Sequence, residues 1–308
     1  MADDARAVEA VASVVQRLAV MLGAGVAPAN AWRYLRDVDG SPVVDAVTAS
    51  IATGASIPAA IAAAATGPSA DRTGSAWRAV AAAWFVASES GAPLAATLRE
   101  IADSLRQLGQ LHRDVDAALA GPRSTARFVG VMPLLGLVFG ALLGFDTIGV
   151  LFGTTAGLVC LVVGAVLSVT AARWTTRLVA RARPPESSPG LTAQLVAVAL
   201  AGGGSLARAR ELATEAHRAN ALGEPDDADR IDRVLELSRV AGVPAAELLQ
   251  SEALQIRREA TSRAQAKAAT LSTTLMIPLG VCVLPAFMLL GVAPLMIAVF
   301  SSTMVELS

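Results

Sequence analysis

Three apolar blocks that contain no charged residue, at 128–145, 147–172 and 271–300, constrain this chain more than any other feature. Crossing the hydrocarbon core of a bilayer takes about 20 apolar residues in a helix. The first block is near the short limit, the second is long enough, and the third has room to span with tilt or to run past the membrane. A soluble protein has no use for three such blocks, so the sequence predicts three transmembrane helices.

Basic side chains near membrane ends stay on the cytoplasmic side. Arg123 and Arg127 precede the first block, Arg173, Arg177, Arg181 and Arg183 follow the second, and Arg257, Arg258, Arg263 and Lys267 precede the third. The turn between the first two blocks offers only Asp146, and the tail after the third only Glu306. Both soluble segments are therefore expected in the cytoplasm, with a tight external turn and an external C-terminus. The start, Met-Ala-Asp-Asp, lacks the positive region and apolar stretch of a cleaved signal peptide.

The predicted organisation is a first cytoplasmic helical bundle over 1–126, a membrane hairpin over 127–172, a second bundle over 173–270, a C-terminal membrane helix over 271–300 and an external tail over 301–308. A formal charge of −1 across 308 residues leaves no global basic field for nucleic acid. The cysteines, Cys160 and Cys282, fall inside the apolar blocks and read as small packing residues rather than a disulfide framework.

Alanine and leucine recur at helical spacing through the first segment, punctuated by Gly and Pro. Helices are predicted over 5–22, 28–38, 58–65, 74–88 and 93–119, with no strand signal. In the last of these, Leu94, Leu98, Ile101, Leu105, Leu108 and Val115 form an apolar stripe. After a hinge at 184–189 the second segment repeats the plan in shorter form. Leu22-Gly23-Ala24-Gly25 followed by Ala31 matches Leu200-Ala201-Gly202-Gly203 followed by Ala209, and Ser90-Gly91-Ala92-Pro93 matches Ala241-Gly242-Val243-Pro244. In the second motif, Gly91 and Gly242 supply helix stops and Pro93 and Pro244 helix starts. The likeness continues where Val131-Met132-Pro133 lines up with Val283-Leu284-Pro285, while the second copy lacks much of the material between Arg36 and Gly74. Helix signals then run without a break from Pro244 through Lys267 into the third block.

The string Ser88-Glu89-Ser90-Gly91-Ala92-Pro93-Leu94, then Leu98, the long amphipathic helix and a proline-bearing membrane helix resemble the type II secretion system F family. The stretch from Leu284-Pro285-Ala286-Phe287 through Gly291-Val292-Ala293-Pro294 is especially similar to the TadB and TadC members of Flp (Tad) pilus assembly systems. One departure is Arg239-Val240-Ala241-Gly242, where the family motif favours an acidic residue before the glycine. The resemblance implies an all-α integral membrane protein of the bacterial inner membrane, with two related cytoplasmic helical bundles and three transmembrane helices. It implies a non-enzymatic platform without a cofactor, coupling a TadA-like secretion ATPase to extraction of pilin subunits, beside a paralogous platform protein or as a homo-oligomer. Glu89, Arg99 and Arg106 are the surface candidates for contact with the ATPase or a sister subunit.

The residues themselves agree that nucleotide chemistry is not local. A P-loop places a lysine beside Ser or Thr, whereas the only lysine, Lys267, is followed by Ala268. Gly202-Gly203-Gly204-Ser205-Leu206-Ala207 fits a dinucleotide pattern with 195–200 as a candidate strand, but no parallel-sheet context surrounds it. His112 and His217 have no clustered Cys or acidic partners at ligand spacing, and exposed helix positions are expected for both. Gly136, Gly140 and Gly144, and again Gly149, Gly153 and Gly157, recur every fourth residue, a spacing that lets membrane helices approach closely. A small-solute transporter or channel is the alternative, disfavoured by the lack of ionisable residues inside the blocks. An intramembrane enzyme would need paired catalytic side chains at bilayer depth, and none stand there.

Overall fold

The computed structural model describes residues 2–68, 70, 73–142, 149, 152–181, 189–222, 228–294 and 296–297. Among them no residue is in a strand. The helices are α1 (Ala2–Gly23), α2 (Pro28–Asp39), α3 (Pro42–Ala52), α4 (Ile57–Thr66), α5 (Gly74–Ser90), α6 (Leu94–Leu142), α7 (Thr155–Arg181), α8 (Leu191–Ala201), α9 (Leu206–Ala219), α10 (Ala228–Ala241) and α11 (Ala245–Thr274). Short helical pieces follow at Met276–Pro278 and Leu284–Phe287, alternating with π-helical turns at Leu279–Val283 and Met288–Val292.

Among the described residues two helices, not the three expected, are long and apolar enough to cross a membrane: Thr155–Ala180 and Ala245–Val292. The first apolar block forms the end of α6, whose described part stops at Leu142. That leaves 128–142, short of the ~20 residues a crossing needs, and 143–145 lie outside the described residues. The second block enters a long helix only at Thr155. The third is the apolar end of a helix that begins in polar sequence at Ala245.

The chain divides into two compact units, the first built from residues 1–114 and 184–263, the second from 115–183 and 264–308. In the first unit the two soluble segments share one hydrophobic core, running from Val8 in α1 to Ile256 in α11. Its centre is α5. Ala79, Ala81, Ala82, Ala83 and Ala87 are all buried, and their short side chains let this helix be packed on several sides at once, by α4, α8, α9 and α1. Bulk comes from Trp32, Trp77 and Trp84, with Trp32 6.2 Å from each of the other two between ring centroids. Tilted pairs at this distance add about 1 kcal/mol each beyond burial. In each segment the first helix lies along the last: a Cβ on Gly109 of α6 would meet Glu9 Cγ at 2.9 Å, and one on Gly190 before α8 would meet the Ala253 carbonyl of α11 at 2.8 Å.

In the second unit α7 packs against the alternating α and π turns of 276–292. Proline explains the irregularity. Pro285 has no N–H to give its ladder bond, and widened turns flank the piece that contains it. Most of α7 points outward, with Phe152 ahead of it and Leu158, Val162, Val166 and Val169 along it at least half exposed or nearly so. Such a face in water would forgo on the order of 1.5–3 kcal/mol for each large side chain left uncovered, which suits lipid.

Candidate functional site

Both repeated turns have the same backbone in their two copies. Gly25 and Gly203 each take φ +87°, and Gly91 and Gly242 take +74° and +68°. Only glycine adopts these values freely. The hydrogen bonds match as well: Gly25 N donates to Leu22 O at 3.0 Å and Gly203 N to Leu200 O at 2.9 Å. After each proline a new helix starts, with Thr97 N donating to Pro93 O and Leu248 N to Pro244 O. The stretch that formally fitted a dinucleotide pattern is therefore a turn between α8 and α9, and its expected strand at 195–200 is helical. The turns also touch one another. A Cβ on Gly202 would collide with the carbonyl and side chain of Ser90, so the end of α5 lies directly on the end of α8.

Beside this contact, α6, α8 and α11 bring polar groups together that sequence spacing did not connect. Glu100 accepts a hydrogen bond from Gln250 Nε2 at 3.2 Å and another from Gln194. Ser104 Oγ lies 3.3 Å from Gln194 Oε1, which also accepts from Arg257 Nη2, and Arg257 Nε donates to Pro189 O at 3.3 Å. Gln194 and Ser104 are each 3% exposed. Burial pushes the Glu100 carboxyl above the usual carboxylate range, and the Gln194 hydrogen bond and the Arg257 charge only partly oppose it. Glu100, Gln194, Gln250 and Arg257 line a cavity of about 270 Å³ together with Asp103 and Gln107. Chemically it is a clasp: a carboxylate, two amides and a guanidinium satisfy one another across helices from both sequence segments. The signal for it was a glutamine inside the otherwise apolar run of α8.

Of the predicted contact residues, Glu89, Arg99 and Arg106 are all exposed. Glu89, at the end of α5, lies close enough to Arg208 of α9 to stabilise its charge. Arg99 rests its guanidinium against Gly23, and Arg106 pairs with Asp103 at 2.7 Å. The structure thus spreads the three along α5 and α6 rather than gathering them. His217, expected on an exposed face, is instead buried: its Nδ1 bonds the Ala213 carbonyl at 3.0 Å and its Nε2 lies 3.1 Å from Thr192 Oγ1. Among the described residues no group of three or more His, Cys, Asp and Glu is placed to hold a metal ion.

Within the apolar helices, Gly136 and Gly140 lie on α6, Gly144 is outside the described residues, Gly149 and Gly153 are exposed, and Gly157 is buried. The stripe that α7 buries has a different period. Gly157, Gly164 and Ala171 recur every seventh residue, and Gly164 makes room for Leu290. Cys160 and Cys282 are free thiols.

Residues 14–141, somewhat under half of the chain, match the family model described as Type II secretion system (T2SS), protein F. This supports the family indicated by the Ser88–Leu94 string and the long helix after it. No curated protein and no solved structure matches the chain. The family match and the two apolar helices together point to an inner-membrane protein.

Proposed function

We propose that this chain is the non-enzymatic inner-membrane platform of a type II secretion-like machine, and specifically of a Tad (Flp) pilus assembly system. The observation that carries this reading is the match of residues 14–141 to T2SS protein F in an all-helical chain with apolar helices of membrane length. The TadB/TadC-like assignment rests on the Leu284–Pro294 string and the order of soluble and apolar segments. In this reading the first unit faces the cytoplasm, held there by the arginines that follow the apolar part of α7 and precede the apolar part of α11, and the C-terminal end of the last apolar helix is external. Glu89, Arg99 and Arg106 offer the first unit's contact to a TadA-like ATPase or a paralogous platform protein. Energy comes from that partner, since Lys267-Ala268 cannot build a P-loop, and the platform passes its motion to pilin subunits in the bilayer. Deleting the gene tests the reading: pilin should stay in the inner membrane and surface filaments should vanish, with both restored by the intact gene. Normal filaments in the deletion strain would overturn it.

A further inference from the structure

Beside the polar clasp, the two repeats meet through an asymmetric apolar contact. Helices α8 and α9 of the second repeat cover α5 of the first, and Val198, Leu212 and Ala216 are buried. Aligned on the paired turns, the first-repeat counterparts of these residues are Val20, Tyr34 and Val38. They are 55%, 55% and 79% exposed. The other side of the contact behaves the same way. Val86 and Ala92, at the end of α5, are buried, whereas their counterparts at the end of α10, Leu237 and Val243, are exposed, and so is Val240 in the place of Glu89. The contact between repeats therefore uses one face of each kind and leaves one of each kind open. Among the described residues of the first unit, only Leu206 and Leu254 are comparably exposed large apolar side chains outside these two faces.

We propose that a second copy of this chain docks head to tail on these faces, its α1/α2 face taking against α10 the place that α8/α9 takes against α5. The two faces differ, so the contact is heterologous and repeats from copy to copy into a ring or an open row. Two charged pairs beside the faces close within the chain: Arg17 pairs with Asp39 at 2.8 Å and Arg239 with Glu236 at 2.6 Å. Ala24 stands where Gly202 stands in the internal contact, so the approach between copies is wider by one methyl group. The inference is independent of the pilus assignment, because it follows from the repeat alone.

The test uses the full chain in native membranes, with Cys160→Ala and Cys282→Ala removing the two native thiols. Ala24→Cys goes into one tagged copy and Ala241→Cys into a differently tagged copy, since their counterparts Gly202 and Ser90 touch. Both positions are exposed alanines. On mild oxidation the co-expressed pair should give a cross-linked species carrying both tags, and neither variant alone should give one. Cross-linking of either variant with itself would mean a symmetric contact and overturns the proposal, as does no cross-link, or a cross-link only to a different protein. Independently, Val38→Glu in the otherwise unchanged protein should lower the mass measured in detergent by light scattering; an unchanged mass counts against the proposal.

Discussion

A Cβ at Gly202 would run into the Ser90 carbonyl, so Gly202→Ala must push α5 and α8 apart. Backbone cannot give way as a side chain can, and overpacking of this kind costs about 1–3 kcal/mol. Gly23→Ala is the matched control, because its Cβ would meet only the tip of the Arg99 side chain, which can swing aside. The thermal midpoint in detergent should fall clearly for the first variant and little for the second; equal midpoints would mean that the α5–α8 contact is looser than described. Glu100 makes a second residue-scale prediction. Burial raises its carboxyl above the ordinary value of 4.5, so the folded chain holds the proton more tightly than the unfolded one. Its contribution to stability is present below the unfolded pKa and is lost as pH rises through the folded value. Glu100→Gln stays neutral throughout and should flatten that part of the stability profile, read by denaturation at a series of pH values; parallel profiles would contradict the assignment. The turn glycines at 91 and 242 were legible because a left-handed cap leaves a residue-type signature. The clasp was not, because nothing local ties Glu100 to Gln194 and Arg257; only the fold brings them together.

Among the elements, α1, α2, α4 and α5 fall close to where Gly, Pro and apolar spacing put them. Helix α3 was missed although Ser41-Pro42 marks its start, because Val43, Val44 and Val47 sit poorly in isolated helices and only burial makes up for that. Helix α10 shows the opposite balance. It buries only Ile231 and Leu235 and is held instead by Arg230, which reaches Glu252 at 2.7 Å and Glu259 at 2.8 Å on α11, and by an ion pair between Arg210 and Asp232. Partly exposed pairs of this kind contribute about 0.2–1 kcal/mol each, which makes α10 the less firmly anchored counterpart of α5. The four-residue glycine pattern named Gly149, Gly153 and Gly157, of which only Gly157 is buried, and α7 continues from it as a seven-residue stripe through Gly164 and Ala171. Composition flags small residues; which of them meet a neighbour depends on how the helices cross.

For the whole molecule, the duplication read from two short motifs is matched by the backbone of both turns, while the way the copies combine was not legible. Two segments with residues 115–183 between them looked like separate bundles; they build one core because α5, whose buried sides carry many alanines beside Trp77 and Trp84, can be surrounded by both. The apolar blocks were plain from the sequence, and among the described residues two helices reach membrane-spanning length. The central claim is that this chain is a platform that works through partners. The measurement that addresses it most directly is affinity purification of the tagged full-length protein from native membranes in mild detergent, with the co-purifying proteins identified by mass spectrometry. Recovery of a secretion ATPase together with a second platform subunit or pilin is the result this account predicts. Recovery of neither, from protein whose thermal midpoint shows it to be folded, would contradict it and direct attention to solute flux in liposomes.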